Sequence, residues 1–296
     1  MRGGNLKIQI DCLPCYVNQA MEAADYAGMD REGRWQTLQE VCRELSEVDR
    51  SYPSARVGQK VHKIVRDNAD TSDPYRKQKE LSNDVARKYR EEFRKLALES
   101  ENPLERAARL ATAGNAVDFG PDREFDIESA LRCGYEEEFV INDWPQFRSS
   151  LRGANDLLYF TDNSGEIIYD ILFVELLLDR TGLEELDLVV KDGPFLNDVT
   201  ESDLAELSIG RLENVGVRTI DNGDGGSSPA LWSDEVEGWL DRYDLVVSKG
   251  QANYEGLSEY DKPNLFFFLT VKCDLVATEV GAEEGSKVLL RAVTST

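Results

Sequence analysis

From Pro14 to about Arg152 the hydrophobic positions recur mostly at helical spacing. The stretch Pro74–Leu98 carries Leu81, Val85, Tyr89, Phe93 and Leu96 three and four residues apart, which predicts a long amphipathic helix with a polar outer face. Strand patterns are scarce in this half. After Asn155 the pattern changes to short apolar runs at Leu157–Thr161, Leu186–Val190, Val215–Ile220, Leu245–Ser248, Leu265–Leu269 and Lys287–Arg291. Helical patterns at Glu166–Leu178, Ser202–Glu213 and Ala230–Arg242 lie between most of them. Strands alternating with helices predict an α/β fold whose mainly parallel sheet is covered on both faces. The change of pattern divides the chain into an N-terminal helical region, residues 1–152, and an α/β region, residues 153–296.

With 296 residues, 41% of them hydrophobic, the chain can bury a substantial core. Its net charge of −23 repels nucleic acid and anionic membrane surfaces, so neither is expected as a partner. The start of the chain lacks the apolar stretch of a signal peptide, and the most hydrophobic helical pattern is interrupted by Asp170 and Glu175. A cytoplasmic location is the expectation. Five cysteines, an odd number, do not read as a disulfide framework. No internal repeat occurs, and the small-residue stretch Asn222–Ser228 is expected to form an exposed, mobile loop.

In open parallel sheets ligands bind beyond the carboxyl ends of the strands. The residues at those ends are polar: Asp162-Asn163-Ser164-Gly165-Glu166, Lys191-Asp192-Gly193 with Asn197-Asp198 beyond, Lys249-Gly250-Gln251, and Lys272. Asp162, Asn163 and Asp198 form a hard-oxygen set suited to Mg²⁺, Mn²⁺ or a similar divalent ion. His62 is the sole histidine, which excludes a multi-histidine zinc site within one subunit, and its place beside Lys60 and Lys63 reads as surface. The turn at Gly165 leads into a helix whose first N–H groups would favour a phosphate oxygen. Lys249, and Lys272 with it, would neutralise a phosphoryl group. Neither G-x-x-x-x-G-K-[ST] nor G-x-G-x-x-G occurs, so nucleotide binding lacks its usual support. Cys12-Leu-Pro-Cys15 precedes a helical pattern, a position that can lower a thiol pKa; structural, metal and redox roles stay open for it.

Three segments together, Asp162–Ile167, Asn197–Thr200 and Lys249–Glu255, resemble the damage-control phosphatase family, formerly catalogued as domain of unknown function eighty-nine. Asp73-Pro74-Tyr75 through Lys79 and Asn83, and Gly114–Gly120, resemble that family's helical-half motifs. The resemblance implies a Rossmann-like three-layer sandwich packed on an N-terminal helical region, with a divalent metal (Mn, Ni, Co or Mg) at the junction. It assigns the metal to Asp162, Asn163 and Asp198, phosphate contact to Lys249, and the substrate pocket to Asn115 and Asp118; Asn83, Glu166 and Lys272 complete the expected substrate-binding set. The expected activity is hydrolysis of small phosphorylated metabolites, such as sugar phosphates, and the C-x-x-C pair resembles the shorter prokaryotic and archaeal branch. Ala252 departs from the glycine of the Lys-Gly-Gln-Gly-Asn pattern, and Asp192 stands where a small residue is usual. An S-adenosylmethionine-dependent carboxyl methyltransferase and a non-catalytic metabolite-binding protein are the competing readings. The first lacks a glycine-rich loop after the first strand of the α/β region, and the second sits poorly with the Asp162, Asn163 and Asp198 set. Neither the physiological substrate nor the oligomeric state can be read from the sequence.

Overall fold

A computed structural model of the chain describes residues 6–114, 124–207 and 212–292. Their seven strands form one sheet: β1 (Ile141–Asn142), β2 (Asp156–Phe160), β3 (Glu185–Lys191), β4 (Val215–Ile220), β5 (Leu245–Lys249), β6 (Leu265–Thr270) and β7 (Lys287–Arg291). The spatial order is β1-β7-β6-β5-β2-β3-β4. All neighbours are parallel except β6 and β7. The central strands are near-continuous Leu, Val and Phe runs because both faces are covered. β2 sends Leu157 and Tyr159 into one layer and Leu158 and Phe160 into the other, and β6 divides Phe266 and Phe268 from Phe267 and Leu269 in the same way. From β2 the chain builds outward through β3 and β4, then returns to lay β5 on the other side of β2. That reversal opens the crevice between β2 and β5 where such sheets bind ligands.

One face is covered by α4 (Arg76–Glu99), α5 (Pro103–Ala113), α7 (Trp144–Leu151) and α8 (Ile167–Arg180), with Phe93, Leu110, Phe147 and Phe173 in a core shared with the sheet. The other face carries α10 (Asp234–Arg242), α11 (Gln251–Leu257) and α12 (Asp274–Val280). α1 (Cys12–Tyr26), α2 (Arg31–Glu47) and α3 (Ser54–Asn68) enclose a separate cluster around Tyr16, Val57 and Val61. α6 (Glu124–Glu136) and α9 (Glu201–Glu206) complete the helices of the described residues.

Several expectations change. On the two sides of residue 152, α4, α5 and α7 share one core with β2 and β6. β1 carries no readable strand signal; two residues pair with β7 through tertiary contact alone. In α4 the first turns bury Lys79, Ser82 and Asn83, while Leu81 is 52% exposed. The helix is rotated so that a polar stripe faces the sheet's carboxyl edge, where Lys79 Nζ pairs with Asp73 at 2.9 Å and Asp203 at 2.8 Å. The Asn222–Ser228 loop is exposed at its tip but tethered. Asn222 is buried, its N–H donates to Asp192, and Arg66 pairs with Asp224. Asp192 therefore fastens that loop.

His62 is buried, not superficial. Its Nε2 lies 3.1 Å from Gln19 Oε1 and its ring packs edge-on to Phe195 at 5.4 Å. Burial, with the Arg66 charge adding to it, pushes its pKa down to about 3. The unfolded chain takes up a proton near pH 6.5 and the folded one does not, so stability is whole above 6.5 and falls as pH drops toward 3. This one side chain is expected to cost about 2 kcal/mol by pH 5. Urea unfolding at pH 7 and pH 5 should show a shallower acid loss in His62→Gln than in the wild type; equal losses would dismiss the effect.

Candidate active site

The carboxyl ends of β2, β3 and β5 each deliver polar residues to the crevice. After Phe160 the chain turns through Asp162, Asn163, Ser164 and Gly165 into α8. The segment beyond β3 doubles back along it: Val199 N–H donates to the Asp162 carbonyl at 2.9 Å, Ser164 N–H to the Asn197 carbonyl at 2.9 Å, and Lys191 N–H to the Val199 carbonyl at 2.9 Å. Asn163 and Asp198 pair across an isolated antiparallel bridge. Leu196 takes a φ of 48°, the left-handed region that branched side chains avoid, just before Asn197 and Asp198. This main-chain zipper brings together Asp162, Asn163 and Asp198, from two different loops.

All three are buried, Asp162 at 5%, Asn163 at 9% and Asp198 at 6% exposure. Burial pushes the Asp198 carboxyl up to about 7, against the pull of Lys191 and with the Asp162 charge adding to the rise. Asp162 is raised as well, chiefly by burial and against the charges of Lys272, Lys249 and Lys191. Two buried carboxylates that disfavour each other's charge are a setting a divalent cation relieves. Ser164 Oγ, next in the chain, is buried without a hydrogen-bond partner. Among the described residues no three His, Cys, Asp or Glu side chains are arranged to hold a metal. A divalent cation here would need a donor beyond the two carboxylates, and the Asn163 amide oxygen is of the hard type that suits Mg²⁺ or Mn²⁺.

Lys249 stands elsewhere than expected. Its Nζ is fully buried and donates to the Ala111 carbonyl at 2.7 Å, to Asp170 at 2.7 Å and to Glu166. An ammonium has three donors, and all three are taken, so none is left for a phosphoryl oxygen. Glu166, expected to touch substrate, is 1% exposed in that ion cluster. Asp170, one helical turn on, is its second carboxylate and also accepts from Tyr159. Lys249 is accordingly the cation of a buried ion cluster at the end of β5. Asn83 reaches the site from α4, where its Oδ1 accepts the Gly165 N–H at 2.7 Å. The N–H groups of Ser164, Gly165 and Ile167 all have protein acceptors, so the start of α8 does not present them to an anion. Asn115 and Asp118 lie outside the described residues.

The cations whose charges act on Asp198 are Lys191, Lys79 and Lys272. Lys191 Nζ is 3.8 Å from Asp198 Oδ2. Lys272 is exposed, and its charge acts on both Asp162 and Asp198. Sequence reasoning gave Lys191 no role, although its place at the carboxyl end of β3 was the signal. Asn253 was also passed over; its amide donates to the Thr161 and Lys249 carbonyls, both at 2.8 Å, tying β5 to β2 beside the site.

Gly250 sits against Asp162. It has a φ of 79°, and a Cβ there would lie 2.0 Å from Asp162 Oδ2. Gly250→Ala is expected to displace that carboxylate and reduce turnover by about 10²-fold, the scale of an ångström's misplacement. Gly225→Ala, at a φ of 76° with nothing within 4 Å of the added carbon, carries the backbone strain alone. Equal rates for the two variants would refute the contact argument.

Residues 8–288 match the family model described as the damage-control phosphatase ARMT1-like domain. An uncharacterized protein of Methanocaldococcus jannaschii is 30% identical, over 98% of this chain and 97% of its own. A damage-control phosphatase of Pyrococcus horikoshii is 29% identical, over 97% of this chain and 98% of its own. A damage-control phosphatase of Archaeoglobus fulgidus is 29% identical, over 96% and 98%. The crystal structure of a DUF89 family protein from Pyrococcus horikoshii superposes with a TM-score of 0.84 at 26% identity, covering 97% of this chain and 99% of that one.

Proposed function

Because this chain belongs to the damage-control phosphatase ARMT1-like family, we propose that it is a divalent-metal-dependent phosphatase acting on small phosphorylated metabolites, sugar phosphates and related damaged metabolites among them. The observation that carries the reading is the pair of buried carboxylates, Asp162 and Asp198, beside the Asn163 amide at the sheet's switch point. Relatives over nearly the full length are named damage-control phosphatases.

Asp162, Asn163 and Asp198 would hold the cation, which supplies Lewis-acid polarisation of the phosphoryl group. Lys272 and Lys191 offset the charge of the phosphoryl oxygens from the open and the buried side respectively. Asn83 and Asn253 hold the two turns that carry the site in register. No helix among the described residues is long and apolar enough to cross a membrane.

The test is phosphate release from a panel of sugar phosphates and other small phosphoesters with Mg²⁺, Mn²⁺, Co²⁺ or Ni²⁺ and after chelation. Release with at least one ion, lost on chelation and regained on adding the ion back, is expected. Folded, metal-supplemented protein that releases nothing across the panel would overturn the proposal.

A further inference from the structure

The C-x-x-C pair has no part in the phosphoryl site, yet the fold surrounds it with further chemistry. Cys12 and Cys15 occupy the first turn of α1, three residues apart and on one face of the helix. Cys273, at the start of α12, and Glu255, on α11, lie near enough for their charges to act on both thiols. Hydrogen bonds join the group. Ser54 lies close enough to Cys12 and Glu255 to oppose the rise of both pKa values. Gln251 Nε2 donates to Glu255 at 3.0 Å and to Cys273 Sγ at 3.3 Å, while its Oε1 accepts the Lys272 N–H at 2.8 Å. Cys15 is exposed and Cys12 partly so.

We propose that Cys12 and Cys15 are a redox modification site, a dithiol that a small-molecule disulfide converts reversibly to an intramolecular disulfide. Cysteines spaced C-x-x-C at the start of a helix suit this chemistry. A bound metal suits the group less, since no three candidate ligands among the described residues are arranged to hold one. Burial raises both thiol pKa values, with Gln9 and Ser54 opposing at Cys12, Gln19 opposing at Cys15, and Glu255 and Cys273 adding to the rise. That expectation of an acidified thiol is therefore reversed. In the reaction the two cysteine S–H bonds break and one S–S bond forms. Two electrons and two protons pass to the small disulfide, whose S–S bond breaks to give two thiols. Hydrogen bonds from Gln251 join the neighbouring Glu255 and Cys273 to the main chain of Lys272. The proposal does not depend on the phosphatase reading.

The experiment equilibrates the reduced full-length protein with oxidised glutathione, then counts free thiols under denaturing conditions and maps the peptides by mass spectrometry. The five thiols should fall to three. The peptide holding Cys12 and Cys15 should lose the mass of two hydrogens and regain it with dithiothreitol. Cys273→Ser should leave this pairing intact, and Cys15→Ser should abolish it. Retention of all five thiols, glutathione adducts in place of an internal bond, or a link from either residue to Cys273, Cys42 or Cys133 would each overturn the proposal. The mass reading on the wild-type protein stands even where a variant fails to fold.

Discussion

Asp162→Ala is expected to lower metal-dependent phosphate release by about 10³-fold or more, with the fold intact. The substitution removes one of two buried carboxylates from the proposed cation set. It retains the main-chain carbonyl that accepts the Val199 N–H, so the loops stay zipped. Stability without metal should not fall, because burial disfavours the Asp162 carboxylate and alanine removes that cost. Rates on the best substrate, calorimetric metal binding and metal-free melting curves, taken together, check the claim. Wild-type turnover, or a large drop in metal-free melting temperature, would contradict it.

Lys249→Met is expected to destabilise the fold by about 3–5 kcal/mol, the usual result of removing one member of a buried ion cluster. Two carboxylates at 1% and 0% exposure would remain without their cation, and Glu166 Oε2 and Asp170 Oδ2 already lack hydrogen-bond partners. Burial raises both carboxyl pKa values against the opposing pull of Lys249, and the variant loses that pull. A raised carboxyl pKa gives stability that is lost as pH rises, so the deficit should be larger at pH 8 than at pH 5. Denaturant unfolding at both values tests the sign. A variant as stable as wild type but with a raised KM would instead return Lys249 to the phosphate.

The strands after Asn155 were legible because burial on both faces writes itself as unbroken apolar runs, and β4 and β7 match their predicted spans. The meeting of Asp162, Asn163 and Asp198 was legible because polar residues in such sheets collect at strand ends. What failed depended on distant partners. His62 looks superficial beside Lys60 and Lys63, and only Phe195 and Gln19, brought in from other elements, bury it. Lys249 resembled a phosphate ligand, while Glu166 and Asp170, spaced one turn apart at the start of a largely apolar helix, were the overlooked sign of a buried cation. The polar stripe of α4 was hidden for the same reason. Leu81 fits a helical stripe by spacing, and only the docking of Lys79 between Asp73 and Asp203 turns it outward.

The loops that carry the two carboxylates are fastened to each other by peptide groups, Val199 to Asp162 and Ser164 to Asn197. Peptide groups are the one part of the chain that substitution leaves unchanged, proline apart. The separation of the acidic pair is thus inherited from the path of the backbone, and neighbouring side chains can drift over generations without spreading it. Specificity is free to wander around a centre whose spacing stays put.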